Sequence, residues 1–471
     1  MIDLPCSIAG RPVSSGNKLI VRNPFTGAVV GSVPLLGRRE AEQAIETGLK
    51  GGSKPTRFER HQMLAKARSL LEARAEEIAR LISSESGLCL RDTRYEVGRA
   101  LDVLHFSAME ALRDDGQVFS CDISSQGKAR KIFTLREPHA LVVAITPFNH
   151  PLNQVLHKIA PAIAAGAPVI LKPSEKTPLT AVRAVEILHE AGVPPDLLSV
   201  VLGSVEEVIE TLVRDPRVEV VSFTGSVEIG KHIASVAGYK RLVLELGGNC
   251  PIIVCADADL DLAAKLAAEG SFRNSGQRCT AVNRILVEEA IVEPFTEKLV
   301  AVAREYACGD PFSEATRVGT VISEASAARI ESWISSAVEQ GARLLLGGKR
   351  SGAMIEPTVL GRVSRDAEIV RKEVFGPVAT VVAVRDLDDA IAVANSTPYG
   401  LSSAVVTRGL ETSIRAVKGI RAGTVNVNEV PGYRLESSPF GGIKDSGLGV
   451  KEGVIEAIRC MTTVKTFSLP W

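Results

Sequence analysis

The sequence predicts an α/β protein with two parallel-sheet domains. Three observations carry that expectation. Short buried-type strands alternate with amphipathic helices, the alternation comes in two successive sets, and 471 residues exceed what one hydrophobic core usually holds.

Taken in order, residues 57–83 and 91–113 read as long helices, with Met63, Leu64, Ala67, Leu70, Leu71, Ile78, Leu81 and Ile82 recurring at helical spacing. Residues 128–134 alternate basic and apolar side chains, and after Glu137-Pro138 the run 140–145 reads as a buried strand. Strands at 168–171, 198–202 and 218–223 then interleave with helices at 180–191, 205–214 and 229–237, Gly192 ending the first of these. Such strand–helix–strand steps make parallel βαβ units. The second set has strands at 251–254, 284–287, 343–346, 380–384, 403–407 and 423–428, with helices at 260–272, 292–306, 324–340 and 386–395. Residues 462–468 read as a last strand that pairs outside its own domain.

Composition excludes several function classes. Apolar residues at 45% with 23% charged residues describe a globular chain. Lys+Arg 55 against Asp+Glu 55 leaves no global field to recruit nucleic acid or an anionic membrane. The eight cysteines (6, 89, 121, 250, 255, 279, 308 and 460) form no Cys-x-x-Cys pair, which argues against a metal site or a disulfide framework and for a reducing cytoplasm. Residues 1–10 lack the pattern of a signal peptide, and the longest apolar stretch, 159–171, is interrupted by Pro161, Gly166 and Pro168.

The chemistry concentrates in short polar loops. Cys279 sits in Ser-Gly-Gln-Arg-Cys-Thr at 275–280, 279 − 245 = 34 residues after Glu245, which runs into Gly247-Gly248. A thiol nucleophile with a carboxylate base can form and hydrolyse an acyl-thiol, and Arg278 places a fixed cation beside the thiol. Thr224-Gly225-Ser226, with Gly230 beyond, joins a strand to a helix N-terminus, a cradle for pyrophosphate or simply a tight turn. Lys172-Pro173-Ser174-Glu175 ends another strand, where Lys172 and Glu175 suit a nucleotide ribose, Glu175 favouring a free 2′-hydroxyl and hence NAD over NADP. A solvated charged loop is the other reading. Asn149, between Pro147 and Pro151, is placed as an oxyanion donor or as a turn residue. Glu373 and Phe375 suit a second ribose and a nicotinamide, or an ordinary loop anchored by the ring.

Together these motifs resemble the aldehyde dehydrogenase superfamily. The matching segments are Pro-Phe-Asn at 147–149, Lys-Pro-Ser-Glu at 172–175, Phe-Thr-Gly-Ser at 223–226 and Leu-Glu-Leu-Gly-Gly at 244–248. Gly-Gln-Arg-Cys at 276–279, Glu-Val-Phe-Gly-Pro at 373–377 and Pro-Phe-Gly-Gly-Ile-Lys at 439–444 complete the set. The resemblance implies Cys279 as nucleophile, Glu245 as general base and Asn149 with the Cys279 N–H as oxyanion hole. It implies that NAD, with NADP as a weaker second, is held by Thr146, Pro147, Phe148, Lys172, Ser174, Glu175, Gly225, Ser226, Gly230, Leu246, Gly247, Glu373 and Phe375. Phe148 stands where many relatives carry Trp. The implied domains are 1–121 with 141–247 for the cofactor and 248–441 for catalysis. Residues 122–140 and 442–471 resemble oligomerisation arms, implying a homodimer or homotetramer. A positioned Glu245 argues for hydrolysis of the thioester and against its transfer to coenzyme A.

Arg99, His105, His150, Arg278, Thr280 and Arg434 are the expected substrate contacts, and a convergence of cations implies a small anionic aldehyde. Structural salt bridges for Arg278 and Arg434 are the competing reading. With Asn-His-Pro-Leu-Asn at 149–153, Asp-Gly-Gln-Val-Phe-Ser-Cys-Asp at 115–122 and the ending Lys-Thr-Phe-Ser-Leu-Pro-Trp, the chain is similar to phosphonoacetaldehyde dehydrogenases. That likeness implies oxidation of phosphonoacetaldehyde to phosphonoacetate. His105 and Asn428 depart from it, where basic residues are expected, and leave phosphonoformaldehyde, sulfoacetaldehyde, succinic semialdehyde and lactaldehyde as alternatives.

Overall fold

Two seven-stranded sheets organise the chain in a computed structural model that describes residues 2–471. The first runs Arg241–Glu245, Val220–Thr224, Val142–Ile145, Val169–Lys172 and Leu198–Val200, all parallel, and then adds the antiparallel hairpin Cys6–Ile8 and Arg11–Val13. The chain fills this sheet in one direction from Val142–Ile145, then returns to lay Val220–Thr224 on the other side. The crevice between those two strands is therefore a topological switch point, where ligands of such sheets bind. The second sheet has Arg343–Leu346 antiparallel at one edge, followed by Thr358–Gly361, Val378–Val384, Val282–Glu288, Cys250–Val254, Ser402–Val406 and Thr424–Val427 in parallel. Strand interiors such as Val142–Ile145 and Cys250–Val254 are wholly buried, as helices on both faces require.

The last strand, Thr462–Pro470, pairs antiparallel along its full length with Arg130–Pro138, Phe467 opposite Phe133. Val118–Ser120 completes this three-stranded arm sheet. Among the described residues no helix is long and apolar enough to cross a membrane.

Local structure departs from the sequence reading in several places: the helices Arg38–Lys50, Asn153–Ala165 and Leu410–Gly419 and the strand Thr358–Gly361 were not expected, and three further differences follow. The helix expected over 57–83 is two helices, Arg57–Ala73 and Ala75–Ser86, broken at Arg74 (φ −111°, ψ 14°). No Gly or Pro marks that break; Arg74 instead pairs with Glu190 at 2.8 Å, a contact across 116 residues. The helix expected over 205–214 opens with a π turn, Val205–Ile209, before Glu210–Arg214. The N-terminal strands, including Lys18–Arg22 and Val29–Pro34 with Ile2–Asp3, were not expected, because their runs of two to six residues are too short for a period to declare itself.

Candidate active site

The loop carrying Cys279 is held in a costly conformation. After the helix Leu260–Phe272 the backbone passes through Asn274, Ser275 and Gly276 with φ of 56°, 52° and 69°. Left-handed geometry costs a non-glycine residue about 1 kcal/mol or more. Local hydrogen bonds offset it: Asp92 accepts the Asn274 N–H at 2.7 Å, and Asn274 Nδ2 donates to the Asn149 carbonyl at 3.0 Å. Gln277 Oε1 accepts the Ile322 N–H at 2.9 Å. Glycine is required at 276, where a Cβ would lie 2.0 Å from the Gly376 carbonyl oxygen. Cys279 then packs against Cys250, Leu401 and Phe440. Burial pushes its thiol up to about 12; Arg434 and Arg278 pull it down, while Glu373 and Glu245 push with burial.

Asn149 and Glu245 come to this loop from the first sheet. Asn149 follows the strand Val142–Ile145, and its Nδ2 donates to the Gln277 carbonyl at 2.8 Å. That bond uses one amide hydrogen and leaves the second. Glu245 ends the strand Arg241–Glu245, is 5% exposed, and neither carboxylate oxygen has a partner. Burial first, then the charge of Glu452, raises its pKa well above the usual carboxylate range, with Lys158, Arg434 and Lys451 opposing. Gly441 faces it closely: a Cβ there would sit 2.6 Å from Glu245 Oε1. The segment after Gly441 braces the base, since Leu246 N–H donates to the Ser446 carbonyl at 3.0 Å and Ser446 Oγ to the Gly247 carbonyl at 2.7 Å.

Most of the other expected cofactor contacts lie at the C-terminal ends of the first sheet, while Glu373 and Phe375 come from the segment before the strand Val378–Val384 of the second. Thr146 and Thr224 each stand one residue beyond the paired positions Ile145 and Phe223, and both hydroxyls are buried without a partner. Two orphaned hydroxyls at a switch point fit a polar ligand there. Gly225 N–H bonds the Glu245 carbonyl at 3.0 Å, tying the turn to the strand of the base. Ser226 caps the helix Val227–Val236, its Oγ accepting the Ile229 N–H, so its hydroxyl is engaged in the fold. Gly230 is a packing glycine, for a Cβ would meet Leu246 at 2.3 Å. Lys172 and Glu175 pair with each other, and Ser174 Oγ accepts the Lys176 N–H. Pro147 precedes Phe148, whose ring meets Phe375 edge to face at 5.7 Å. Glu373 Oε1 accepts the Gly248 N–H at 2.9 Å, and burial pushes its carboxyl up to about 7. Gly247 has no room for a Cβ, which would lie 2.4 Å from Glu373 Oε2.

A cavity of about 330 Å³ opens over Cys279, lined by Arg99, His150, Arg278, Thr280 and Arg434. Arg278 donates Nη2 to the carbonyls of Glu269 at 2.9 Å and Gly270 at 2.6 Å. Arg434 lies on the face of Phe440, 3.7 Å from the ring centroid. Neither pairs with a carboxylate among the described residues, so the salt-bridge reading of these two fails. Burial lowers both guanidiniums, Arg278 to about 10 with Arg273 adding repulsion, and Arg434 with repulsion from Arg99. Arg99 is paired to Glu436, and Arg273 in the same wall to Glu269.

One expectation needs correcting. His105 is exposed and outside the cavity. Six residues along a helix from Arg99 turn it about 240°, onto the opposite face, whereas Asp92, Tyr95 and Arg99 share one face. His150 does line the cavity; burial lowers its imidazole from the ordinary value, with Glu96, 3.6 Å away, opposing. Asn428 serves the fold, at φ 53° with its amide bonded to both backbone groups of Thr407. Asp92, Gln277, Glu436 and His157 were missed. Asp92 is spaced on the Arg99 face, a usable signal; the others had none, since His157 and Glu436 meet across 279 residues.

A switch-point sheet joined to a thiol loop from a second α/β sheet defines a class, the α/β oxidoreductases that work through a cysteine. Comparison makes the class specific. Residues 12–467 match the aldehyde dehydrogenase family, and the chain belongs to it, an NAD(P)-dependent aldehyde dehydrogenase. It is 38% identical over 458 residues to 3-sulfolactaldehyde dehydrogenase of Priestia aryabhattai, covering 97% of this chain and 95% of that one. Aldehyde dehydrogenase 21 from Physcomitrella patens, solved in complex with the reaction product succinate, superposes with TM-score 0.96 at 36% identity, covering 99% of this chain and 98% of that one. NADP-dependent glyceraldehyde-3-phosphate dehydrogenase from Bacillus halodurans, solved with NADP, gives TM-score 0.97 at 33% identity, covering 100% of this chain and 99% of that one.

Proposed function

We propose that this enzyme oxidises a small dianionic aldehyde, phosphonoacetaldehyde, to its acid, phosphonoacetate, with NAD. The observation that carries the substrate is the pair Arg278 and Arg434: two guanidiniums at the thiol, neither with a carboxylate of its own. Two buried guanidiniums with no carboxylate in contact suit a substrate group with two negative charges, which a phosphonate supplies. Relatives whose names specify a sulfonated aldehyde, succinate or a phosphorylated aldehyde support an anionic substrate in general. Sulfonated aldehydes are the second reading, favoured by the 38% identity to the 3-sulfolactaldehyde enzyme.

Cys279 acts as nucleophile, its thiolate adding to the aldehyde carbon. The free amide hydrogen of Asn149 and the Cys279 N–H hold the oxyanion; removing one such donor typically costs about 3 kcal/mol. Bound NAD supplies the acceptor for the hydride that the tetrahedral carbon loses. Glu245, with both oxygens free, takes a proton from the water that hydrolyses the resulting thioester. Thr146, Thr224, the Gly225 turn, Glu373 and Phe375 hold the dinucleotide, and Lys172 with Glu175 holds the adenine-side ribose. Glu175 beside that ribose disfavours a 2′-phosphate, the basis for preferring NAD. The arm sheet, with Phe119, Ile132, Phe467 and Trp471 exposed, serves a homodimer or homotetramer.

The test is a kcat/KM panel over phosphono-, sulfo-, succinic and neutral aldehydes with NAD and with NADP. Phosphonoacetaldehyde with NAD is expected to lead. A neutral aldehyde turned over as well as any anion contradicts the proposal.

A further inference from the structure

Arg273 in the pocket wall is held by Glu269, Asp92 and the Tyr95 ring, whereas the other three arginines are each held at one point only. Arg278 is held by two backbone carbonyls through Nη2, Arg434 by the Phe440 ring, and Arg99 through Nε by Glu436. Their remaining nitrogens make no hydrogen bond among the described residues and belong to groups that line the cavity. Glu436 is the odd member of this set. It is 4% exposed, and a buried carboxylate beside an anion pocket works against the anion electrostatically. Its benefit must therefore be geometric.

The geometry supplies one. Glu436 Oε1 takes the Arg99 Nε–H, and Oε2 meets His157 Nε2. His157 Nδ1 is buried with no partner, so the proton shared with Glu436 sits on Nε2. The imidazole comes from the buried helix Asn153–Ala165 and fixes the carboxylate from the side opposite Arg99. Burial would push Glu436 up, yet His157, Arg99 and Arg434 outweigh it and hold the carboxyl well below its usual range. A free arginine side chain carries about 2 kcal/mol of rotamer entropy, and clamping Nε removes much of it before the substrate arrives.

We propose that Glu436, braced by His157, is a positioning residue for recognition of the substrate's anionic group: it fixes Arg99 by Nε so that its two terminal nitrogens form a ready fork. This rests on the anion-pocket reading above.

The test compares Glu436→Gln, Arg99→Ala and the double variant, measuring kcat and KM for phosphonoacetaldehyde and for propanal. Glu436→Gln is expected to raise KM for phosphonoacetaldehyde about tenfold, the loss of one pre-set charge-assisted contact. Its kcat and the kcat/KM for propanal should stay within about twofold, and in the Arg99→Ala background it should add nothing. His157→Phe, which keeps the ring volume but removes the donor to Glu436, should shift KM the same way by less, and it serves if Glu436→Gln fails to fold. Additive losses in the double variant, a fall in KM for Glu436→Gln, or equal losses on both aldehydes would each overturn the proposal. Failure of the anion-pocket reading shows separately, as Arg278 and Arg434 variants that fail to discriminate between the two aldehydes.

Discussion

Arg434→Met isolates the anion contact better than any other single substitution. Arg434 makes no hydrogen bond to the described residues and lies on Phe440 at 3.7 Å, so a methionine keeps the stem's packing and removes only the charge. A charge-assisted hydrogen bond to a buried anion is worth about 1.5–3 kcal/mol, and at about 1.4 kcal/mol per decade its loss lowers kcat/KM for phosphonoacetaldehyde roughly 10- to 150-fold. The same guanidinium also pulls the Cys279 thiol down, so a neutral aldehyde loses something as well. With water in the cavity raising the effective dielectric toward its bulk value of about 80, that loss is about 1 kcal/mol or less, roughly fivefold. Steady-state NADH formation with phosphonoacetaldehyde and with propanal separates the two effects. Losses of equal size on both aldehydes would refute the role, because they would assign Arg434 to the thiol or to the fold.

Other outcomes follow from the same geometry. Glu245→Gln should leave one burst of NADH per active site and cut steady-state turnover about 10²–10⁴-fold, the usual worth of a general base; full turnover would remove the hydrolytic role. Because burial places the free Cys279 thiol at about 12, its alkylation by iodoacetamide should climb about tenfold per pH unit from roughly pH 7 to 9, since only the thiolate reacts; a plateau near pH 8 would show a thiol that is already ionised. Gly441→Ala should impair turnover without loss of NAD affinity, because the new Cβ stands 2.6 Å from Glu245 Oε1; unchanged turnover would mean that the loop yields freely. His105→Ala should leave every kinetic constant within about twofold, as its exposed helix face requires, and a raised KM would restore it to the pocket.

What the sequence made legible was chemistry carried by contiguous residues. Cys279, Asn149 and Glu373 in short loops and Glu245 at a strand end each lie in a contiguous motif that marks them as candidates, and the switch-point sheet followed from strand–helix alternation. Side-chain direction was less legible. His105 looked like a partner of Arg99 because both lie on one helix, and only the helical phase separates them. Contacts between distant segments left no trace. The Arg74–Glu190 pair at the break between Arg57–Ala73 and Ala75–Ser86, and the His157–Glu436 bond, link residues 116 and 279 positions apart. The N-terminal strands failed for a third reason, being too short to show a period.

The most direct test of the central claim is the ratio of kcat/KM for phosphonoacetaldehyde to that for sulfoacetaldehyde, measured against pH. The two substrates are nearly isosteric and meet the same thiol, base and cofactor, so the enzyme's own titrations cancel in the ratio. Only the phosphonate gains a second charge, near pH 6 to 7 by analogy with phosphate monoesters, where the second pKa is about 6. Two guanidiniums with no carboxylate in contact predict a ratio that rises about tenfold or more as that proton leaves and then levels off. A ratio that stays flat, or falls, would contradict selection for a dianion.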